Sequence, residues 1–389
     1  MLQLIAAGVV AAVTGFASSF ALVVAGLGAV GASPVQAASG LLALCVLQGV
    51  LAMVLSLRYR IPLSFAWSTP GAALLLASGA TGDFSAAVGA FLVSGVLIVL
   101  TGLWPALGRA ITGIPRPLAS AMLAGILFPI CVAPVTASIE VPWLALPVIA
   151  VWVLLHRFAP RWATPGAMAA TAIAIAASAG TAWLTDPVLT PTLTLTPPAF
   201  DPVVLVSLGV PLYIVTMAGQ NVPGFAVLTT FGYSAPPRPV LVGTGVASAI
   251  GSFAGAFVVN LAAITAAIMA GPDSHPDPRR RWLASFTGGA TYVVLGLGAG
   301  LMTALVAASP PILITAAAGL ALLGALVTAI VSALEDERQR IVAIATFLVV
   351  ASNVQLLGIG SAFWGLVVGG ILLLMFRRPR EPEPTAAAT

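Results

Sequence analysis

Inside the apolar runs of this 389-residue chain, polar side chains are sparse, and three groups of them have the types and spacing to do chemistry. Ser68-Thr69-Pro70-Gly71 follows an extended-looking stretch from Arg60 to Trp67. A hydroxyl residue before proline marks a helix N-terminus: the side chain caps free N–H groups, and proline in the first turn loses nothing, because its N–H would go unsatisfied there. Asn260 stands in a matching place, after the strand-like Gly255 to Val259 and before the apolar run Leu261 to Ile268, which it is expected to cap. Gln220-Asn221, just ahead of Pro223-Gly224, puts an amide pair in an apolar segment, where it must find a neighbouring helix or a ligand. Two helix N-termini with partial positive charge beside neutral amides are chemistry suited to binding an anion.

Other chemistries lack their residues. The apolar runs hold no paired carboxylates, no histidine cluster and no nucleophile with a base, so catalytic residues, cofactors and metals are not expected. Cys45 and Cys131 stand alone in apolar sequence and read as small core residues. His156 and His275 lie at the edges of runs and receive no role. The Gly-rich stretch from Gly243 to Gly255 has no phosphate-binding lysine and reads as close helix packing.

The elements that hold these residues follow from composition. Hydrophobic residues make up 60% of the chain and charged residues 7%, far too few charges to cover a water-exposed surface. Runs such as Leu41 to Leu57 are continuously apolar rather than alternating, which excludes a barrel of β-strands and predicts an all-α integral membrane protein. Charged and Pro/Gly-rich breaks divide the chain into about fourteen transmembrane spans, near 3–24, 34–57, 62–79, 86–107, 117–136, 142–157, 165–184, 203–230, 239–257, 259–270, 282–307, 311–333, 341–357 and 360–376. With a cytoplasmic N-terminus, all fifteen basic residues fall on the inner connections or the tail, as the positive-inside rule requires. Asp83, Glu140, Asp186 and Asp201 fall outside, and the other seven acids sit among the inner arginines. The basic pI therefore reflects membrane topology, and nucleic acid is not an expected partner.

An offset of 205 residues aligns Phe20-Ala21 with Phe225-Ala226, Pro34-Val35 with Pro239-Val240 and Gly40 with Gly245. It carries span 1 onto span 8, an odd number of crossings, so the chain reads as two inverted seven-span repeats, a carrier architecture. The internal counterpart of span 1, and the lack of a basic region before Leu2, argue against a cleaved signal peptide and suggest a chain that begins upstream of Met1. Spans 3 and 10 are short and occupy matching positions in the halves; each reads as a short strand followed by a half-helix. The competing reading makes Thr69-Pro70 and Asn260 ordinary kinks in continuous helices. In span 1, Thr14 to Phe20 is small and polar with aromatic rings, and matches the Gln220 region. Pro223-Gly224 is expected to unwind span 8, and Asn353 and Gln355 in span 13 are expected to bond between helices.

The run Pro211-Leu-Tyr-Ile-Val-Thr-Met-Ala-Gly-Gln-Asn-Val-Pro-Gly-Phe-Ala-Val-Leu, the following Gly232-Tyr233, Asn260-Leu-Ala-Ala-Ile-Thr-Ala-Ala-Ile and Ala66-Trp67-Ser68-Thr69-Pro70-Gly71-Ala72-Ala73-Leu74-Leu75 resemble the benzoate/proton symporter (BenE-like) family. These motifs are long and specific but cover only about a quarter of the chain. That family is similar in fold to the uracil-permease and sulfate-carrier group. The resemblance implies a core domain of residues 1–107 and 201–308 moving against a gate domain of 108–200 and 309–376, with a cytoplasmic tail at 377–389. It further implies proton-coupled uptake of an aromatic carboxylate across a bacterial-type inner membrane, both termini cytoplasmic, and leaves a homodimer open. Ser68, Thr69, Gly71, Asn260 and Leu261 would hold the carboxylate, Gln220 and Asn221 would orient it, Phe20 and Trp67 would contact the ring, and Ser18 belongs to the same set. Relatives in the wider fold group carry acids in spans 8 and 10 where this chain has Gln220, Asn221 and Asn260, which suits an anion but leaves no obvious proton carrier. A carboxylic acid of pKa about 4 is ionised at neutral pH, so the proton would travel on the substrate itself; Glu140 is the only other acid worth testing. Another small anion or a nucleobase as cargo, or an uncoupled anion channel, are the alternatives.

Overall fold

A computed structural model describes residues 1–79, 82–179 and 189–376; the expected tail and residues 180–188, with Asp186, lie outside the described residues. The chain begins with helices α1 (Leu2–Ala29) and α2 (Pro34–Tyr59), a short strand β1 (Phe65–Trp67), and helices α3 (Thr69–Ser78) and α4 (Phe84–Leu103). Then come α5 (Pro105–Thr112), α6 (Arg116–Glu140), α7 (Pro142–Phe158) and α8 (Pro160–Ala179). A long helix made of α9 (Pro202–Val204), α10 (Val210–Thr216) and α11 (Val222–Thr230) is followed by α12 (Pro237–Ser252), strand β2 (Val259–Leu261) and α13 (Ala263–Ala270). Helices α14 (Trp282–Gly296), α15 (Ala299–Ala307), α16 (Pro311–Leu334), α17 (Arg340–Ala351) and α18 (Ser361–Met375) complete the described chain.

Local sequence sets the helix starts. Ser33 and Gln36 form a reciprocal capping box at the head of α2. Asp83, Asp201, Asp277 and Asp336 each accept a backbone N–H at the start of a helical element. Every Asp and Glu among the described residues lies at a helix terminus or in a connection, never within a helix.

Six helices among the described residues are long and apolar enough to cross a membrane, and the pair Pro278–Gly296 and Ala299–Ala307, bent by 55°, makes a seventh. Apart from the 20-residue α8, the other apolar segments are short helices or the two strand-plus-helix pieces, so helix length alone does not return the expected fourteen crossings. The helices pack in two groups. Helix α2 packs on α14 and α12, α12 on α4, and α1 on α14 and α3; α6 packs along α16 and α17, α17 on α18, and α7 on α8. Gly40 and Gly245, equivalent in the 205-residue offset, both let backbones approach closely: a Cβ on Gly40 would lie 2.6 Å from the Gly255 carbonyl oxygen, and one on Gly245 2.7 Å from that of Gly95. The Gly-rich stretch is close helix packing, as its sequence indicates.

Three expectations are corrected here. Pro223-Gly224 does not unwind its helix. The helix runs on from Pro202 to Thr230 with π-helical turns at Leu205–Gly209 and Met217–Asn221. Each turn precedes a proline, Pro211 and Pro223, which cannot donate to the carbonyl four residues back; the wider turn absorbs that missing bond and the ring without breaking the helix. Asn260 is not a cap, because it lies in β2 and the N-cap of α13 is Ala262. Asn353 and Gln355 lie past the end of α17, and Gln355 Nε2 donates to the Ser78 carbonyl at the end of α3 (3.3 Å).

Two features lie at the edges. The extended stretch 192–200 is strapped across the ends of three helices: Thr196 N–H donates to Phe253 O (2.7 Å), Ala199 N–H to Ser85 O (2.8 Å) and Thr194 N–H to Ser39 Oγ (2.9 Å). At the far end of α13, the buried Arg281 donates to the carbonyls of Ala270 (2.8 Å) and His275 (2.7 Å), setting positive charge against the negative end of that helix. Tyr233 donates to Pro278 O nearby (2.8 Å); burial pushes its phenol up, with the Arg281 charge opposing.

Candidate functional site

Strands β1 and β2 pair antiparallel, with Phe65 opposite Leu261, Ala66 opposite Asn260 and Trp67 opposite Val259. Ser68 N–H to Val258 O (3.0 Å) and Ala262 N–H to Ser64 O (2.9 Å) extend the ladder at both ends. Each strand runs straight into a helix, and the strands run in opposite directions. The N-termini of α3 and α13 therefore point back at the ladder from its two ends, separated by roughly 10 Å of strand. Both positive helix ends converge on one short piece of backbone.

The two ends are finished differently. At α3, the Ser68 side chain accepts the Gly71 N–H (3.1 Å) and also the Thr216 hydroxyl of α10 (2.8 Å). Pro70 has no N–H, so Thr69 brings this end its one N–H without an acceptor among the described residues. A Cβ on Gly71 would meet Leu212 Cδ1 at 2.7 Å and Ser68 Oγ at 2.9 Å, which leaves room for glycine only. At α13, Ala262 has no polar side chain to cap with, and the N–H groups of Ala263 and Thr265 meet no acceptor among the described residues. The Thr265 hydroxyl is engaged with Ser64 Oγ (2.7 Å).

The amides divide. Asn221 is fully buried, and its Oδ1 accepts the Leu261 N–H (2.9 Å) while its Nδ2 faces Met217 Sδ (3.3 Å). The expected use of the Leu261 N–H by a ligand is thus pre-empted inside the protein, and so is that of Gly71. Asn260 is fully buried, donates from Nδ2 to Leu261 O (3.0 Å) and leaves Oδ1 without a partner among the described residues. Gln220 is half-buried in the π-helical turn and makes no hydrogen bond among the described residues; its neighbour Gly219 faces Pro70 of α3 and Leu123 of α6.

The aromatic residues gather on α1. Phe16 and Phe20 stack with centroids 5.4 Å apart, Phe16 meets the Trp67 edge at 5.9 Å, and Trp67 meets Tyr292 of α14 at 6.0 Å. Trp67 Nε1 donates to Ser19 Oγ (2.9 Å). Ser18, the residue singled out from sequence, turns back to the Gly15 carbonyl instead (2.9 Å). By the pleat, the Asn260 and Trp67 side chains emerge on opposite faces of the ladder, so the two do not meet. Ser19, Thr216, Thr265 and Tyr292 are absent from the sequence-derived set. Thr216 and Ser19 carried a signal, as parts of the polar runs leading to Gln220 and to Phe20; Thr265 and Tyr292 stand out only once the ladder is formed.

Comparison with known proteins fits this geometry. The family described as "Benzoate membrane transport protein" (BenE) matches residues 1–375. The chain is 41% identical over 367 residues to Inner membrane protein YdcO of Escherichia coli (strain K12), covering 94% of this chain and 93% of that protein. It is 32% identical over 335 residues to the Benzoate membrane transport protein of Acinetobacter baylyi (strain ATCC 33305 / BD413 / ADP1), covering 85% and 84%. Among solved structures, the transmembrane domain of a cyanobacterium bicarbonate transporter, BicA, shares the fold, with a TM-score of 0.60 at 15% identity over 95% of this chain and 97% of that one. This chain belongs to the benzoate membrane transport protein family and is a membrane transporter, not an enzyme.

Proposed function

We propose that the protein imports benzoate or a similar aromatic carboxylate together with protons. The observation that carries this reading is the bare N-terminus of α13: the N–H groups of Ala263 and Thr265 meet no acceptor among the described residues, beside a two-stranded ladder and an aromatic cluster, with no acidic side chain within the described helices around them. A carboxylate satisfies such N–H groups and the helix dipole together. The half-buried Thr69 hydroxyl and Gln220 amide have hydrogen-bonding capacity left for orienting it, and Phe20 and Trp67 belong to the rings that would face its aromatic part. Ser68, Gly71, Asn221 and Leu261 act in this reading as the frame that fixes the two helix ends, and Ser18 as part of the α1 turn behind the rings.

The transport cycle is alternating access, with a core of residues 1–107 and 201–308 moving against a gate of 108–200 and 309–376, fourteen spans in two inverted repeats. The partition of charges supports an inner-membrane orientation with both termini cytoplasmic. With no acid in the site, the proton crosses on the substrate's own carboxyl group. The test is labelled benzoate uptake into proteoliposomes under an imposed pH gradient, acid outside, with empty vesicles subtracted for passive permeation of benzoic acid. Saturable accumulation abolished by a protonophore is expected. Saturable uptake indifferent to the gradient would leave a uniporter or channel, and no protein-dependent uptake would exclude benzoate.

A further inference from the structure

The residue that best explains how an aromatic acid would be gripped at both ends is one that its sequence does not advertise. Tyr292 lies within α14, is 3% exposed, and packs its ring edge-on to Trp67. Its hydroxyl makes no hydrogen bond among the described residues. That is unusual, since a phenol taken out of water normally finds a partner. The hydroxyl is accommodated by a deliberate gap: a Cβ on Gly15 of α1 would lie 2.4 Å from it and 3.4 Å from Thr265 Cγ2. Tyr292 Oη therefore lies near the first turn of α13, where the N–H groups of Ala263 and Thr265 meet no acceptor among the described residues.

We propose that Tyr292 is a substrate-binding residue whose phenolic O–H donates to the carboxylate held at the N-terminus of α13, which rests on the reading of the site as one for an aromatic carboxylate. A neutral donor suits this position. It bonds the anion without adding a buried charge, and its ring continues the aromatic wall of Phe16 and Trp67 toward the substrate's own ring. Gly15 serves the same end by keeping space for the hydroxyl, where any side chain would push the phenol off the site.

The distinction from a plain core tyrosine is measurable, because the two roles move stability and affinity differently. Tyr292→Phe removes only the hydroxyl and keeps the ring contacts. For a core residue, losing an unpartnered buried hydroxyl leaves benzoate affinity unchanged and leaves thermal stability unchanged or raised. For a ligand to the carboxylate, stability behaves the same way but benzoate binding weakens about tenfold, the scale of one charge-assisted hydrogen bond. The experiment is calorimetric titration of benzoate into the purified full-length protein and into Tyr292→Phe and Gly15→Ala, with melting temperatures in parallel. Weaker binding in Tyr292→Phe at unchanged or raised melting temperature supports the assignment, and Gly15→Ala is expected to weaken binding as well. Wild-type affinity in Tyr292→Phe overturns the assignment while leaving the carboxylate site in place. Absence of benzoate binding to the wild-type protein overturns the carboxylate reading and this inference with it.

Discussion

Helices α3 and α13 meet the same two-stranded ladder from opposite ends, yet one arrives capped and the other bare. Ser68 closes the α3 end twice over, taking the Gly71 N–H and the Thr216 hydroxyl. Ala262 leaves the N–H groups of Ala263 and Thr265 without acceptors among the described residues, while Arg281 sets its positive charge against the opposite end of that helix. The antiparallel ladder brings two helix ends together, and local residues finish them differently. One end is tied to α10 through Thr216, and the other keeps hydrogen-bonding capacity that no described residue uses.

The sharpest way to break this comparison is to fill the bare end with charge. Ala262→Asp puts a carboxylate where the ligand's would sit, and benzoate binding should fall by about 100-fold or more through like-charge exclusion, with the protein still inserted. Binding that persists in this variant would move the anion elsewhere. Next in size are Gln220→Ala and Asn260→Ala. Each is expected to lower uptake by about tenfold without preventing membrane insertion, as read by vesicle uptake and by yield in the membrane fraction; normal uptake in both would remove the amides from the site. Ser68→Ala strikes the capped end, and should cost about 1 kcal/mol of stability through the lost cap, with a larger share of its effect in melting temperature than in affinity. The smallest change converts one end into the other. Ala262→Ser should raise stability by about 0.5 kcal/mol and weaken benzoate binding a few-fold, since its hydroxyl competes for the same N–H groups.

The capped end was legible in sequence and the bare end was not, for a physical reason. A Ser-Thr-Pro-Gly string encodes its helix start locally, so α3 begins as its residues dictate. Asn260 has the composition of a cap, but its place was decided by pairing with Ala66, a contact between distant parts of the chain that no local pattern carries. Once β2 formed, the helix could not begin before Ala263. The choice between Ser18 and Ser19 turned on a single residue of helical phase, which only the position of Trp67 resolves. Pro223 correctly marked a disturbance, but whether a membrane helix answers proline by unwinding or by widening depends on its neighbours. Tyr292 gave no signal at all, being one aromatic residue in a small-residue helix, and its interest arises from Gly15 in α1. By contrast, the membrane class and the strand-plus-helix character of the two short segments were plain, because composition and periodicity are properties of the chain itself.

The position of the acids has an electrical consequence. With every described Asp and Glu at a helix terminus or in a connection, the described helices carry no ionised carboxylate of their own through the low-dielectric region as they rearrange. A membrane potential does work only on charge that moves through it, about 2.3 kcal/mol per elementary charge per 100 mV. If the cargo is a carboxylate travelling with one proton, the loaded protein moves no net charge and the empty protein returns without any. Such a carrier would draw its driving force from the proton concentration difference alone and be indifferent to voltage.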